Sequence, residues 1–180
     1  MSRPHSGGPE PVASAPEGVE IRPAEPADAG EWVRHISEVA AEGRFIRTEE
    51  VRWTPRQMRR RFRNSRTRDE LQVVAVAGGR VIGSLWVGRE SNPVTSHVAS
   101  LGMSVDRAWR GRGIGSALMT EAFRWARGAE IEKLALTVYP NNQPALNLYK
   151  KYGFVEEGRL TGHSKKAYGY EDEVVMGRWV

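Results

Sequence analysis

The run Val105-Asp106-Arg107-Ala108-Trp109-Arg110-Gly111-Arg112-Gly113-Ile114-Gly115-Ser116 is built to hold an anion by main chain alone. Glycines at 111, 113 and 115 strip side chains from a turn, so successive backbone N–H groups can crowd against one ligand. An amphipathic segment opens near Ile114, and a helix there adds unpaired donors and a positive dipole end at the same spot. Capture of a pyrophosphate is the chemistry this spacing allows; a tight strand–helix connection is the plainer alternative. Exclusion narrows the ligand. A P-loop needs Gly-x-x-x-x-Gly-Lys-[Ser/Thr], and no Lys occurs from Gly111 to Gly128. A dinucleotide fingerprint needs glycine three residues after Gly113, where Ser116 stands, and belongs to a first strand–helix unit, whereas about a hundred residues come first here.

A second segment lies downstream. Leu134-Ala135-Leu136-Thr137-Val138 alternates as a strand does, and Tyr139-Pro140-Asn141-Asn142 breaks it. Pro144 to Tyr152 then reads as a helix with proline in its first turn, stopped by Gly153. Tyr149 on that helix is a phenol, protonated at neutral pH and able to donate a proton to a departing group; a packing tyrosine is the alternative.

These segments need a scaffold. Val19 to Pro23 reads as a strand, Ala29 to Ala41 as a helix with Trp32, Val33, Ile36, Val39 and Ala40 at helical spacing, and Arg44 to Trp53 as a connector. After Thr54-Pro55 a helix is expected to carry the seven arginines 56, 59, 60, 61, 63, 66 and 68, with Met58 and Phe62 as its apolar stripe. Strands over 71–76 and 81–87 flank a Gly78-Gly79 hairpin turn. His97 to Val105 delivers the chain to the glycine turn. Ile114, Ala117, Leu118, Ala122 and Trp125 give the next helix its core face. Strands near 154–159 and 168–179 close the chain.

Taken together, Val105-x-x-x-x-Arg110-Gly111-x-Gly113-x-Gly115 and Asn142-x-x-Ala145-x-x-Leu148-Tyr149-x-Lys151-x-Gly153-Phe154 resemble two signatures of the GNAT (Gcn5-related N-acetyltransferase) superfamily. The resemblance spans residues 19–180. It implies a single α/β domain of the α+β type, with a mixed, mostly antiparallel sheet flanked by helices and splayed between the fourth and fifth strands. It also implies acetyl-coenzyme A as cosubstrate. Pantetheine would lie along Met103, Ser104 and Val105, and pyrophosphate on Arg110, Gly111, Arg112, Gly113, Ile114, Gly115 and Ser116. Tyr149 falls where the superfamily carries its general acid. Asn142 falls on a cofactor contact, although a helix cap explains it equally. Glu49 and Glu50 fall in the connector bordering the acceptor, with Glu50 the candidate base; Asp172 and its neighbour Glu173 are the other candidate acids. The ending Tyr170-x-Asp172-x-x-x-Met176 resembles bacterial small-molecule and amino-acid N-acetyltransferases.

Composition bounds the rest. With 180 residues, 39% hydrophobic and 27% charged, the chain suits one domain. No apolar run is long enough to cross a membrane. Residues 1–18, rich in Pro, Gly, Ser and Ala, are expected to be a disordered tail. There is no cysteine, so disulfides, thiolate zinc sites and an acetyl-cysteine intermediate are excluded. The four histidines, at 5, 35, 97 and 163, show no ligand spacing; only His97 falls near the expected site, and no metal is expected. The expectation is direct acetyl transfer from acetyl-coenzyme A to the primary amine of a small molecule, an amino acid or similar metabolite, by a cytoplasmic homodimer. The alternatives are transfer to a protein N-terminus or lysine, and a non-catalytic module that binds coenzyme A, the ribosome or nucleic acid through its arginines. At a net charge of +5 the arginine run is more simply a solvated face, and nucleic acid is not the expected partner.

Overall fold

The computed structural model describes residues 8–48 and 51–180. Seven strands form one sheet in the order β1-β2-β3-β4-β5-β7-β6. They are β1 (Glu20–Pro23), β2 (Glu70–Ala77), β3 (Arg80–Arg89), β4 (Val98–Val105), β5 (Lys133–Val138), β6 (Val155–Lys166) and β7 (Gly169–Trp179). The helices are α1 (Ala29–Ala41), α2 (Pro55–Arg61), α3 (Ile114–Gly128) and α4 (Gln143–Lys151). β4 and β5 run parallel, and the other neighbouring pairs are antiparallel.

Alternation in the strands sorts side chains into two cores. On β2, Leu71, Val73 and Ala75 face α3, where Leu118, Met119, Ala122 and Phe123 meet them. Val74 points the other way and joins Trp32, Ile36, Met58 and Phe62 of the α1–α2 face. Gly78 and Gly79, both at positive φ, make the two-residue turn that joins β2 to β3.

The arginine helix is shorter than expected. After Arg61 the chain tightens into a 3-10 turn over Phe62–Asn64, and Arg66 sits in a bridge to Leu71. Phe62 is buried against Trp32, at 6.0 Å between ring centres, where the regular helix gives way to that turn. Arg61 pairs with Glu70 and Arg68 with Glu130, so the seven cations do not share one helical surface. β6 is longer than expected because its register slips twice against β7, which lets an exposed outer strand continue to Lys166. No described helix is long and apolar enough to cross a membrane. Residues 8–18 form neither helix nor strand. Glu10 pairs with Arg127, the Ala13 N–H donates to Thr120 Oγ1 at 3.0 Å, and the Gly8 carbonyl accepts from Arg178.

The feature that positions the site is a parting of strands. β4 and β5 share only three rungs, Val98 with Lys133, Ala99 with Leu134 and Ser100 with Ala135. Beyond them Leu101–Val105 stays with β3, while Leu136–Val138 stays with β7. The wedge between them opens beside the N-terminus of α3.

At the start of α1, Asp28 accepts two hydrogen bonds from Arg22, at 2.7 and 2.9 Å, and one from the Glu25 N–H at 2.7 Å. Burial alone would raise the Asp28 carboxyl, but these donors and the Arg22 charge hold it below its usual value near 3.8. Stability from this site is therefore present above that value and lost as pH falls through the lower folded-state pKa. Asp28→Asn is expected to cost about 2 kcal/mol at pH 7. It should also flatten the fall in stability below pH 4, read from urea midpoints across pH.

Candidate active site

One cleft of about 980 Å³ runs through the wedge. Its walls are β4 from Leu101 to Val105, the turn from Trp109 to Ser116, the end of β5, one side of α4, and the α1–α2 connector with Phe45, Arg47 and Trp53.

The glycine turn forms the cleft's first half. Asp106 leaves β4, and the Trp109 N–H donates back to its carbonyl at 2.8 Å, closing a 3-10 turn over Arg107–Trp109. Gly111 and Gly113 then take φ of +73° and +86°, a left-handed backbone that L side chains adopt only under strain. Gly113 occupies the N-cap of α3, where no side chain caps the helix. α2 and α4, by contrast, are capped by Thr54 and Asn142. The amides of Ile114, Gly115 and Ser116 are thus left without intrahelical partners at the cleft wall. Gly115 serves packing: a Cβ there would come within 2.9 Å of Leu148 on α4.

The two arginines of the turn divide their work. Arg110 donates to the Val105 carbonyl at 2.9 Å and makes a two-pronged pair with Glu42, at 2.8 and 2.6 Å. Its charge is spent joining the turn to the end of α1. Arg112 stacks on Trp109, with no acidic partner among the described residues, and remains available to an anion.

Tyr149 lies against the cleft between the two halves. Its ring is buried beside Phe154, and burial pushes its phenol up to about 12. Tyr152, one turn on, is fully buried and donates to the Ser116 carbonyl at 2.8 Å, so its hydroxyl braces the start of α3.

The second half of the cleft is charged and aromatic. Glu173 on β7 is buried yet reaches the cleft. It accepts from Arg47 Nε at 2.9 Å, from Arg47 Nη2, and from Ser164 Oγ at 2.6 Å. Arg47 Nη2 also donates to Thr137 Oγ1 at 2.9 Å. Burial would raise the Glu173 carboxyl; the hydrogen bonds from Arg47 and Ser164 and the Arg47 charge outweigh it and hold the group below the usual carboxylate range. Trp53, held edge-on against Trp32 at 5.6 Å, and Trp86 line this half.

A family model described as "Acetyltransferase (GNAT) family" matches residues 38–154. The chain belongs to the GNAT family. It is 39% identical to the L-amino acid N-acetyltransferase AaaT of Escherichia coli over 111 residues, 59% of this chain and 67% of that protein. It is 30% identical over 155 residues to the mycothiol acetyltransferase of Thermomonospora curvata, 86% of this chain and 50% of the other. The matched stretches thus span half to two-thirds of these curated relatives. Among solved structures, a GNAT-family acetyltransferase from Streptococcus pneumoniae superposes with a TM-score of 0.83 at 28% identity, covering 90% of this chain and 99% of that one.

Most residues expected from the sequence line this GNAT cleft together: Met103, Ser104, Val105, Arg110, Gly111, Gly113, Ile114, Gly115, Ser116, Asn142 and Tyr149. Asn142 also caps α4, accepting from the Ala145 N–H at 3.3 Å, so the cap reading accounts for its oxygen. Asp172 is elsewhere. Successive β residues face opposite sides, so Asp172 turns from the cleft and accepts from the Gly162 N–H at 2.8 Å, while Glu173 turns in. His97 stacks on Trp179 near the far end of β4, away from the cleft. Glu49 and Glu50 lie outside the described residues. Arg47 and His35 were not singled out. Arg47 had no signal among 22 arginines. His35 had one, a polar ring on the apolar stripe of α1.

Arg47→Met removes the guanidinium charge and donors that, beside the remaining Ser164 hydroxyl, oppose burial at Glu173. The Glu173 carboxyl is then expected to titrate above its ordinary value of 4.5 rather than below it. A side-chain carbon NMR titration of the two proteins would read that reversal.

Proposed function

We propose that the chain is an acetyl-coenzyme A-dependent N-acetyltransferase that acts on the primary amine of a small, zwitterionic acceptor, a free amino acid or close analogue. The observation that carries this reading is the two-ended cleft: the uncapped amides of the glycine turn at one end, the Glu173–Arg47 pair at the other, and Tyr149 on its wall. The cofactor end fits the group. The free edge of β4 offers backbone partners to the pantetheine amides, and the α3 N-terminus offers donors and a positive dipole to the pyrophosphate. The resemblance to an L-amino acid N-acetyltransferase supports the acceptor class.

Acetyl-coenzyme A, when bound, supplies an activated acetyl group and a thiol leaving group. The chain's residues do the rest. Glu173 is a carboxylate at neutral pH, so it draws an ammonium into the cleft and orients it. Because its pKa is lowered, it holds the ammonium better than it takes its proton; that proton leaves along the open cleft mouth. The Arg47 guanidinium, tied to Glu173 through Nε and Nη2, has Nη1 to offer an acceptor's carboxylate. A peptide N-terminus lacks a carboxylate at that distance, which favours a free amino acid over a protein. Tyr149 stays protonated and donates at the departing group. Cytoplasmic location and a homodimeric state belong to the same reading; the exposed outer strand β6 offers a second copy an edge to pair with.

The test is thiol release from acetyl-coenzyme A across amino acids, their amides and esters, polyamines and short peptides. Free amino acids should turn over and their amides should not; turnover of peptides alone would reject the small-molecule reading. Tyr149→Phe is expected to lower kcat about a hundredfold or more with both substrates still bound. Since the phenol sits near 12, kcat of the wild type should show no falling alkaline limb below about pH 10. Gly113→Val should abolish coenzyme A binding by calorimetry, because it closes the cradle and strains a left-handed backbone.

A further inference from the structure

Four polar side chains form a buried chain on the α1 side of β4. The Asp106 carboxylate meets His35 Nδ1, His35 Nε2 lies 2.8 Å from Ser104 Oγ, and Ser104 Oγ lies 3.1 Å from Ser84 Oγ. His35 is fully buried, and Ser84 and Ser104 nearly so. With a carboxylate beside Nδ1 and the ring neutral, the ring proton sits on Nδ1, and Nε2 accepts from the Ser104 hydroxyl, whose oxygen takes the Ser84 proton. The chain is satisfied from end to end. Such a network costs desolvation that an apolar core would not, and what it adds is one defined geometry.

That geometry falls where β4 keeps only one of its two ladders. Up to Ser100, β4 has a ladder on both edges; from Leu101 to Val105 the edge toward β5 is free. Ser104 and Asp106 bracket the end of this half-supported stretch, and Asp106 begins the turn that leads to Gly111 and Gly113. His35 is within hydrogen-bond distance of both, and α1 is the element it fastens them to.

We propose that His35 is a positioning residue for acetyl-coenzyme A: through Ser104 and Asp106 it fixes the open edge of β4 and the entry to the glycine turn. These are the two pieces of backbone on which pantetheine and pyrophosphate rest, so the inference builds on the cofactor course proposed above. His35 itself does not reach the cofactor. Its effect is therefore on binding and not on the proton transfers at Tyr149 and the amine.

The experiment compares wild type with His35→Leu, which removes the chain, with Ser84→Ala, a milder cut at its far end, and with His35→Gln, which keeps a donor and an acceptor. Coenzyme A binding is measured by calorimetry, turnover by steady-state kinetics, and amide hydrogen exchange over residues 101–106 by mass spectrometry. His35→Leu is expected to weaken coenzyme A binding and raise the acetyl-coenzyme A KM about tenfold or more, the usual scale of loss when a bound group is misplaced. The acceptor KM should hold while residues 101–106 exchange faster. Ser84→Ala should follow in the same direction with a smaller effect, and His35→Gln should recover part of the loss. Unchanged coenzyme A binding in folded variants would overturn the proposal and leave the chain a purely stabilising one. A collapse of kcat at unchanged acetyl-coenzyme A KM, or an acetyl adduct on Ser104, would overturn it in favour of direct chemistry. A wild type that binds no coenzyme A would overturn the cofactor reading beneath it, an outcome distinct from wild-type binding that the variants leave intact.

Discussion

The parting of β4 from β5 after three rungs is the constraint on which the rest depends. A parallel pair that continued would bury its edges and leave no cleft. Each strand departs because it is held more extensively on its other side. β4 pairs with β3 over seven residues and β5 with β7 over six. The right-handed twist of the sheet then carries the two pairs apart. What opens beside the glycine turn is lined by strand edge and by an uncapped helix end, so there the hydrogen-bonding capacity is main chain. Such a surface is well suited to a ligand of amides and phosphates.

Charge within the cleft is arranged so that few groups are left to chance. Arg110 is matched by Glu42 and Arg47 by Glu173, while Arg112, beside the lining rather than in it, stacks on Trp109. The Glu42 pair joins the C-terminal end of α1 to the glycine turn, so the turn is tied to the helix packed behind β4. Tyr149 sits at the junction with a buried ring, and its high pKa follows from that burial alone.

Much of this was legible in the sequence. Periodicity located α1 and α3 closely, the Gly-Gly hairpin set the β2–β3 register, and the two glycine-and-tyrosine segments fall on the walls of one cleft. The acceptor half was harder, because which way Asp172 or Glu173 faces depends on the register of β7 against two neighbours, and β6 slips twice along it. One acidic residue entered the cleft and its neighbour did not. Arg110 was read as a phosphate ligand from its place in the turn, yet Glu42, sixty-eight residues away, engages both ends of its guanidinium. His35 carried its information in a mismatch, a polar ring in an apolar stripe, whose partners come from β4 and the turn beyond it. Contacts of that kind have no local periodicity to betray them.

The approach of Leu148 to Gly115 carries a consequence for ancestry. With 2.9 Å between a Leu148 methyl and a Cβ that is not there, the two positions are coupled. A lineage that gained a side chain at 115 would have to turn the Leu148 side chain aside or trim it. The glycine and a leucine on another helix thus constrain each other. A divergent descendant in which both have changed would be one whose α3–α4 seam has been rebuilt.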